Sequence, residues 1–271
     1  MGANIEAAKF VPRDMGFRDL IEGSQVIDSP VSTDFEIRDL SIANDNRPML
    51  FNNVKESPGH RVAINILTRN RLCESFGVGP GELIDILAWA MENPADPLIV
   101  DRSEAPVMQN KMDEVNIRAL PVPWHYKEDG GRYQSASIII AQHEGLRNTS
   151  FHRQLIKSEK STSVRIVPRH LRTMVELAKK KEEEVDIAVV NGPDPIVLLA
   201  GAMSFNDPLD ELSVAAALHE RLYGSKFEVI ELPNGVIAPA DAEYVMEARI
   251  TNMTDEEGPY VDITGTVDDV R

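Results

Sequence analysis

Among 271 residues there is a single cysteine, Cys73, which rules out an intrachain disulfide and any zinc site built on cysteine. Its setting, LCESFG, reads as a small buried hydrophobe rather than a nucleophile. Positive charge is also scarce: 28 Lys and Arg face 44 Asp and Glu, a formal balance of −16. Most of such a surface repels a nucleic-acid backbone, although a local basic pocket still draws a small anion. No apolar run reaches the length of a membrane span, and MGANIEAAKFVPRD has no signal-peptide core. Glu6 stands where an N-myristoylation site wants Ser or Thr. Neither GxGxxG nor GxxxxGK occurs, which removes the local signatures of dinucleotide and P-loop sites, and no repeat is visible. The expectation is a cytoplasmic protein with no membrane and no nucleic-acid partner.

What is present, 42% hydrophobic and 27% charged residues, suffices for a sizeable core in one large domain or two small ones. Phe17 to Ile21 reads as a short helix, and Ser32, Thr33 and Asp34 before Glu36 read as an N-terminal cap. RPMLFNNV and HRVAINIL predict two strands joined at Ser57, Pro58 and Gly59. Pro80 starts a helix with Leu83, Ile84, Leu87, Ala88 and Met91 on one face, and Pro94 ends it. Prolines and loops then dominate to Tyr133, so a boundary near Pro106 separates residues 1–105 from 106–271. Trp124, His125 and Tyr126 in that loop read either as a pocket lid or as ordinary packing. From Ser135 the texture is strand-rich, with helices predicted over HLRTMVELAKKKEEE, opened by Pro168, and over DPLDELSVAAALHERL, capped by Asp207 with Pro208 in first position. The fold class is therefore α+β, a small N-terminal α/β domain followed by a barrel-like sheet domain with inserted helices.

Chemistry concentrates in RNTSFHRQLIKSEKSTSVRIVPRHLR, from Arg147 to Arg172. Asn148 and Arg153 fall on one predicted strand, Val164, Arg165, Ile166 and Val167 on a second, and Pro168, Arg169 and His170 at a helix start. An amide, several guanidinium groups and an imidazole gathered at a helix N-terminus suit a phosphate and a metal, because orphan N–H groups and the helix dipole favour an anion. The same cluster also reads as a solvated face. Near the C-terminus, Glu257 and Asp262 flank GPYV; their odd spacing puts them on opposite faces of a strand unless the Gly258-Pro259 turn breaks the alternation. Set against Arg153, one carboxylate would stay ionised and the other hold a proton near neutrality, as a general acid must. The alternative is an acid-rich turn at a strand end. Asn148, His170 and Glu211 supply an amide oxygen, an imidazole and a carboxylate, which suit Mn²⁺ or Mg²⁺ better than zinc. By type alone they equally read as a cap, a surface imidazole and a first-turn acid.

The ordered succession PVSTDFEI, LPVPWHYKEDGGRY, RNTSFHRQ, VPRHLR, DELSVAAAL, PADAEYVMEARI and EGPYVDITGT resembles the UbiD family of reversible decarboxylases, which use prenylated FMN. The resemblance runs from about residue 17 onward and implies a split β-barrel of the flavin-reductase type over residues 106–271. It implies that Asn148, His170 and Glu211 hold Mn²⁺ (or Mg²⁺) against the flavin phosphate. Thr149, Ser150, Phe151, His152, Arg153, Arg169, Met203 and Ser204 would join Asn148 and His170 around the flavin. Backbone carbonyls near Ala200 and Met203, with Glu211, match a K⁺ site. Arg153 would orient the substrate carboxylate and pair with Glu257, while Asp262 returns the proton after carbon dioxide leaves. The implied substrate is an aromatic, phenolic or α,β-unsaturated acid; Thr266, where many relatives have Tyr, keeps anhydromevalonate phosphate open as an alternative.

Thr149 stands where some members have an aromatic residue, HERLYGSKFEV is longer than the usual connection, and the sequence stops at Arg271, where members continue into a C-terminal domain. The expectation is a fragment, or a subunit completed by a separate C-terminal-domain chain in an oligomer, with a flavin prenyltransferase supplying the cofactor. The competing expectation is a non-catalytic flavin-binding or assembly subunit.

Overall fold

The computed structural model describes residues 16–204, 209–262 and 264–271. After one turn of 3-10 helix at Phe17–Ile21, strand β1 (Gln25–Ile27) leads into helix α1 (Glu36–Ala43). The predicted strands β2 (Met49–Phe51) and β3 (Val62–Ile64) pair antiparallel, and β1 lies parallel to β2. Ile37 of α1 packs on this sheet with Val31, Met49, Phe51 and Val54. The predicted cap of α1 takes another form. Phe35 is the N-cap with φ 64°, and the Glu36 carboxylate reaches back to accept the Ser32 N–H at 2.7 Å.

Helices α2 (Arg69–Phe76) and α3 (Pro80–Glu92) follow, with Cys73 buried in α2. The buried face of α3 differs from expectation: Leu83, Ile86 and Ala90 turn inward, whereas Ile84 and Met91 are 56% and 40% exposed. Both stripes of this helix are apolar, so periodicity could not choose between them; packing against α2 and the helix over residues 211–223 did. Strand β4 (Leu98–Ile99) then crosses to a distant partner. In the long loop, the Trp124 N–H donates to Thr33 O at 2.8 Å, Trp124 O accepts from Phe35 N at 3.0 Å, and Arg38 covers the Tyr126 ring. The predicted lid residues thus pack against the segment around α1.

The remaining strands are β5 (Tyr133–Gln134), β6 (Ile138–His143), β7 (Leu146–Phe151), β8 (Gln154–Ile156), β9 (Thr162–Val164), β10 (Val185–Asn191), β11 (Glu228–Glu231), β12 (Ile237–Pro239), β13 (Tyr244–Ile250), β14 (Tyr260–Val261) and β15 (Val267–Asp268). Three helices, α4 (His170–Lys180), α5 (Pro195–Ala202) and α6 (Glu211–Tyr223), are inserted among them. The central sheet has order β13-β10-β6-β7, beside the three-stranded sheets β5-β8-β9 and β12-β11-β4 and the hairpin β14-β15. None of these closes on itself among the described residues.

Burial on both faces explains the unbroken apolar run in β6. Ile139 and Ala141 pack against Leu171, Met174 and Ala178 of α4, while Ile138 and Ile140 face α5 and α6. Each large side chain so buried contributes about 1.5–3 kcal/mol. Gly201 lets α5 lie directly on the sheet, since a Cβ there would stand 2.7 Å from Ile138 Cδ1. Two predicted starts shift. The strand before α4 ends at Val164, short of Val167, and helix α4 begins at His170 with Arg169, in extended conformation, as N-cap. The cap of α6 is Asp210, whose Oδ1 accepts from Leu212 N at 3.0 Å; Asp207 and Pro208 lie outside the described residues. No helix among the described residues is long and apolar enough to cross a membrane.

Asp194 caps α5 by accepting the Ile196 N–H at 2.8 Å, yet its Oδ2 is buried without a partner, close to the Tyr223 phenol. Burial, reinforced by Asp241 and Asp19, holds this carboxyl well above the ordinary carboxylate range. The folded chain therefore binds the proton more tightly than the unfolded chain, so stability is greatest at or below the ordinary range and falls as pH rises through it. The expected slope is up to about 1.4 kcal/mol per pH unit. Asp194→Asn keeps the cap acceptor and removes the charge, so denaturant unfolding across pH 4–8 should show a flatter profile and a more stable variant at neutral pH. A variant less stable than wild type at pH 8 would refute this assignment.

Candidate active site

The site grows from β7, the edge strand of the central sheet. Strand β7 carries Asn148 and Thr149, both buried, against the first residue of α6, Glu211, which is 3% exposed. Asn148 Nδ2 donates to Glu211 Oε1 at 3.0 Å and the Thr149 N–H to Oε2 at 2.8 Å. The nearby cation does not neutralise Glu211, because Arg147 Nη1 binds the cap residue Asp210 instead, at 2.8 Å. Burial consequently pushes the Glu211 carboxyl up to about 7, against the lowering effect of the Thr149 N–H.

Further along, the Ser150 hydroxyl lies 2.9 Å from Asn148 Oδ1 and 3.0 Å from His152 Nε2. His152 Nδ1 stands 3.2 Å from the Arg165 carbonyl, and a carbonyl only accepts, so Nδ1 carries the ring proton. Burial lowers the His152 pKa, against the raising effect of its hydrogen bond to the Arg165 carbonyl. Phe151 packs on the core behind the strand, as does Met203. Arg169 Nη1 donates to Ser204 Oγ at 3.0 Å, which ties the start of α4 to the end of α5. The Ala200 carbonyl accepts the Met203 N–H at 3.1 Å.

Just past β7, Arg153 forms a forked pair with Glu257: Nε to Oε1 and Nη2 to Oε2, each 2.9 Å. The two side chains are only 12% and 5% exposed. Arg153 also lies 4.5 Å from the centre of the Tyr260 ring, against which Tyr133 packs edge-on at 4.7 Å. Tyr133 donates to the Pro259 carbonyl at 3.2 Å, and burial beside Glu257 raises its pKa. The C-terminal segment is pinned by backbone: Glu257 pairs with Arg271 in both directions, the Gly130 N–H donates to Pro259 O, and Val261 N donates to Asp129 Oδ1. A Cβ on Gly130 would stand 2.3 Å from Gly258 O, so only glycine admits this approach.

The structure thus joins Asn148 to Glu211, Arg153 to Glu257 and Arg169 to Ser204. It does not join His170, half-buried on α4, to Asn148 or Glu211 by any hydrogen bond among the described residues, although α4 packs beside β7. Nor does Asp262 reach Arg153. Its Oδ1 accepts from Thr264 N and Oγ1 and from Thr266 N, and the Thr264 hydroxyl foremost lowers its pKa. The expected protonated acid near neutrality is corrected accordingly: a polar turn at the hairpin rim stabilises the charged form. The second carboxylate on Arg153 is Asp268, at 2.8 Å from Nη1, and Arg165 Nη1 binds the same Oδ2. Sequence reading gave Asp268 no role. The usable signal was YVDITGTVD, two short apolar runs around Thr-Gly, a hairpin that sets Asp268 opposite Tyr260.

A buried carboxylate with no cation on it among the described residues, an amide oxygen beside it and an imidazole on the adjacent helix fit a divalent ion, whose charge would offset the burial that raises the Glu211 carboxyl. Among the described residues, no group of three His, Cys, Asp or Glu side chains is arranged to hold a metal. The set here uses an amide as one member.

Fold and site together define an α+β protein in which a buried Arg153–Glu257 ion pair follows the strand that ties Asn148 to Glu211. Residues 24–91 match the 3-octaprenyl-4-hydroxybenzoate carboxy-lyase N-terminal domain, and residues 98–271 match the Rift-related domain of the same carboxy-lyase. The chain belongs to the UbiD family. It is 32% identical over 253 residues to anhydromevalonate phosphate decarboxylase of Methanothermobacter thermautotrophicus, covering 92% of this chain and 58% of that protein. It is 36% identical over 215 residues to the protein of that name in Archaeoglobus fulgidus, covering 79% and 48%. The chain spans about half the length of these curated relatives. Among solved structures it is similar to an evolved dimeric form of HmfF from Pelotomaculum thermopropionicum in complex with prFMN, with TM-score 0.87 and 27% identity over 94% of this chain and 62% of that one. Vanillic acid decarboxylase of Sedimentibacter hydroxybenzoicus shares the mixed α+β fold, with TM-score 0.85 and 19% identity over 97% and 60%.

Proposed function

We propose that this chain is the flavin- and metal-holding part of a UbiD-type decarboxylase that removes carbon dioxide from an aromatic or α,β-unsaturated carboxylic acid. The observation that carries the reading is the buried Arg153–Glu257 fork at the end of the strand that ties Asn148 to Glu211. Prenylated FMN, when bound, supplies the electron sink for the carbon that loses carbon dioxide. A split barrel to cradle it would be built from the central sheet and the separate sheet β5-β8-β9. Asn148, Glu211 and His170 would hold Mn²⁺, or Mg²⁺, at the flavin phosphate, with Thr149 to His152, Arg169, Met203 and Ser204 lining the flavin. K⁺ would sit on the carbonyls near Ala200 and Met203.

In this reading Arg153 orients the substrate carboxylate and Glu257 holds Arg153 in place. Asp262 returns the proton from Oδ2, the oxygen its threonine turn leaves unengaged among the described residues. A carboxyl of low pKa is a strong donor once protonated but is protonated in few molecules at neutrality, so turnover should rise as pH falls below 7. The relatives' names favour anhydromevalonate phosphate over a phenolic acid as the substrate. A separate C-terminal-domain subunit would complete the oligomer, with a flavin prenyltransferase supplying the cofactor, and native mass spectrometry reads both partner and bound flavin. The decisive measurement is carbon dioxide release by the loaded complex. Asp262→Asn should abolish it while flavin absorbance and bound manganese stay at wild-type levels; undiminished turnover in that variant refutes the proton-donor role.

A further inference from the structure

Every guanidinium nitrogen of Arg153 is engaged: Nε and Nη2 on Glu257, and Nη1 on Asp268 Oδ2 at 2.8 Å. Arg165 brings a second guanidinium nitrogen to that same oxygen. Two cations converging on one carboxylate oxygen describe an anion site, here filled by a side chain of the protein itself. Resting on the decarboxylase reading above, we propose that Arg153 and Arg165 form a two-guanidinium site for the carboxylate of a small organic acid, and that Asp268 fills it until the acid arrives.

The two carboxylates around Arg153 are not equivalent. Glu257 is buried, forked onto Nε and Nη2, and fixed by backbone pairing with Arg271 at 3.0 and 2.8 Å. Asp268 is 32% exposed and sits on a two-residue strand whose ladder partner is the equally short β14. Of the two, Asp268 is the one that leaves at small cost. Charge balance points the same way. Arg153 and Arg165 are matched by Glu257 and Asp268, so a third carboxylate added to the set meets repulsion. One exchanged for Asp268 keeps the set neutral. Arg165 then has a function distinct from that of Arg153: it stays beside the site while the occupant changes, and its carbonyl is already held by His152.

This exchange predicts an effect opposite in sign to that of an ordinary structural contact. Removing Asp268 deletes a competitor and leaves two guanidinium groups short of an anion, so the site should bind an external carboxylate more tightly. Isothermal titration of the chain with benzoate at low ionic strength reads this directly, with benzamide as the uncharged control. Asp268→Ala and the better shape-matched Asp268→Asn should each tighten benzoate binding by about two- to tenfold, the factor by which the free site gains population. Arg165→Gln should weaken it by about tenfold, one charge-assisted hydrogen bond, and benzamide should respond to none of these changes.

Benzoate affinity that is equal or weaker in both Asp268 variants, or unchanged in Arg165→Gln, overturns the proposal, as does the absence of benzoate binding in all of them. Circular dichroism melts of each variant establish that the comparison is made on folded protein. Turnover by the flavin-loaded complex separates this inference from the reading beneath it. Binding changes as expected with no turnover on any carboxylic acid leave the anion site standing and the decarboxylase reading refuted. Turnover with unaltered benzoate binding does the reverse.

Discussion

Arg153→Ala should destabilise the chain by about 3 kcal/mol or more and abolish turnover by the loaded complex. The Glu257 side chain is 5% exposed and its two oxygens accept from Nε and Nη2 of one guanidinium. Removing that partner strands an ionised carboxylate away from water, and the penalty is the desolvation of the orphan rather than the net worth of the pair. Tyr260 loses the cation that covers its ring, and Asp268 keeps only Arg165. Urea unfolding of Arg153→Ala, Glu257→Ala and the double variant separates these contributions. The double variant should be less destabilised than the sum of the singles by at least about 2 kcal/mol. Additive losses, or a single-variant loss below about 1 kcal/mol, would show that the pair is hydrated and the proposed chemistry misplaced.

Glu211→Ala should cost about 2–3 kcal/mol in the metal-free chain, because the buried Thr149 N–H and the Asn148 amide both lose their acceptor. Glu211→Gln is the informative contrast. It keeps an acceptor for Thr149 and removes a carboxyl that burial has pushed up to about 7. For wild type the folded state holds that proton above the unfolded carboxylate range, so stability is fully present below that range and is lost as pH rises through 7. At pH 8 without metal, the glutamine variant should therefore match or exceed wild type in thermal midpoint. Adding Mn²⁺ should reverse the order. At a hundredfold excess over its dissociation constant the ion raises wild-type stability by about 2.7 kcal/mol and leaves Glu211→Gln and Glu211→Ala unmoved. A manganese-induced rise of equal size in the glutamine variant would remove Glu211 from the ligand set.

Where the fold was legible, periodicity and punctuation were unambiguous. The strand-rich texture from Ser135 announced β6, and Pro80 announced a helix start. Legibility failed where two solutions satisfied the same pattern. Ile84 and Met91 continue an apolar stripe as well as Ile86 and Ala90 do, and only the position of the helices beside α3 selected the second. Asp207 read as the cap of α6 with Pro208 in first position, whereas Asp210 is the residue that caps it, accepting from Leu212 N. In the site, the pairing of Arg153 with Glu257 is what the family resemblance implies, and the fork between them agrees with it. Asp262 was paired with them on the same ground. The threonines beyond it, Thr264 and Thr266, took its oxygen first, since donors two and four residues away need no long-range closure to reach it.

Local pattern alone indicated the α+β class and the strand that carries Asn148, while the ordered succession of motifs indicated the family by resemblance and, with it, the role of the arginine at the end of that strand. Which carboxylate faces which cation was settled only by the folded chain. The hairpin after Pro259 turns Asp268 back onto Arg153 and leaves Asp262 at the rim, a choice set by register and backbone pairing between segments more than a hundred residues apart.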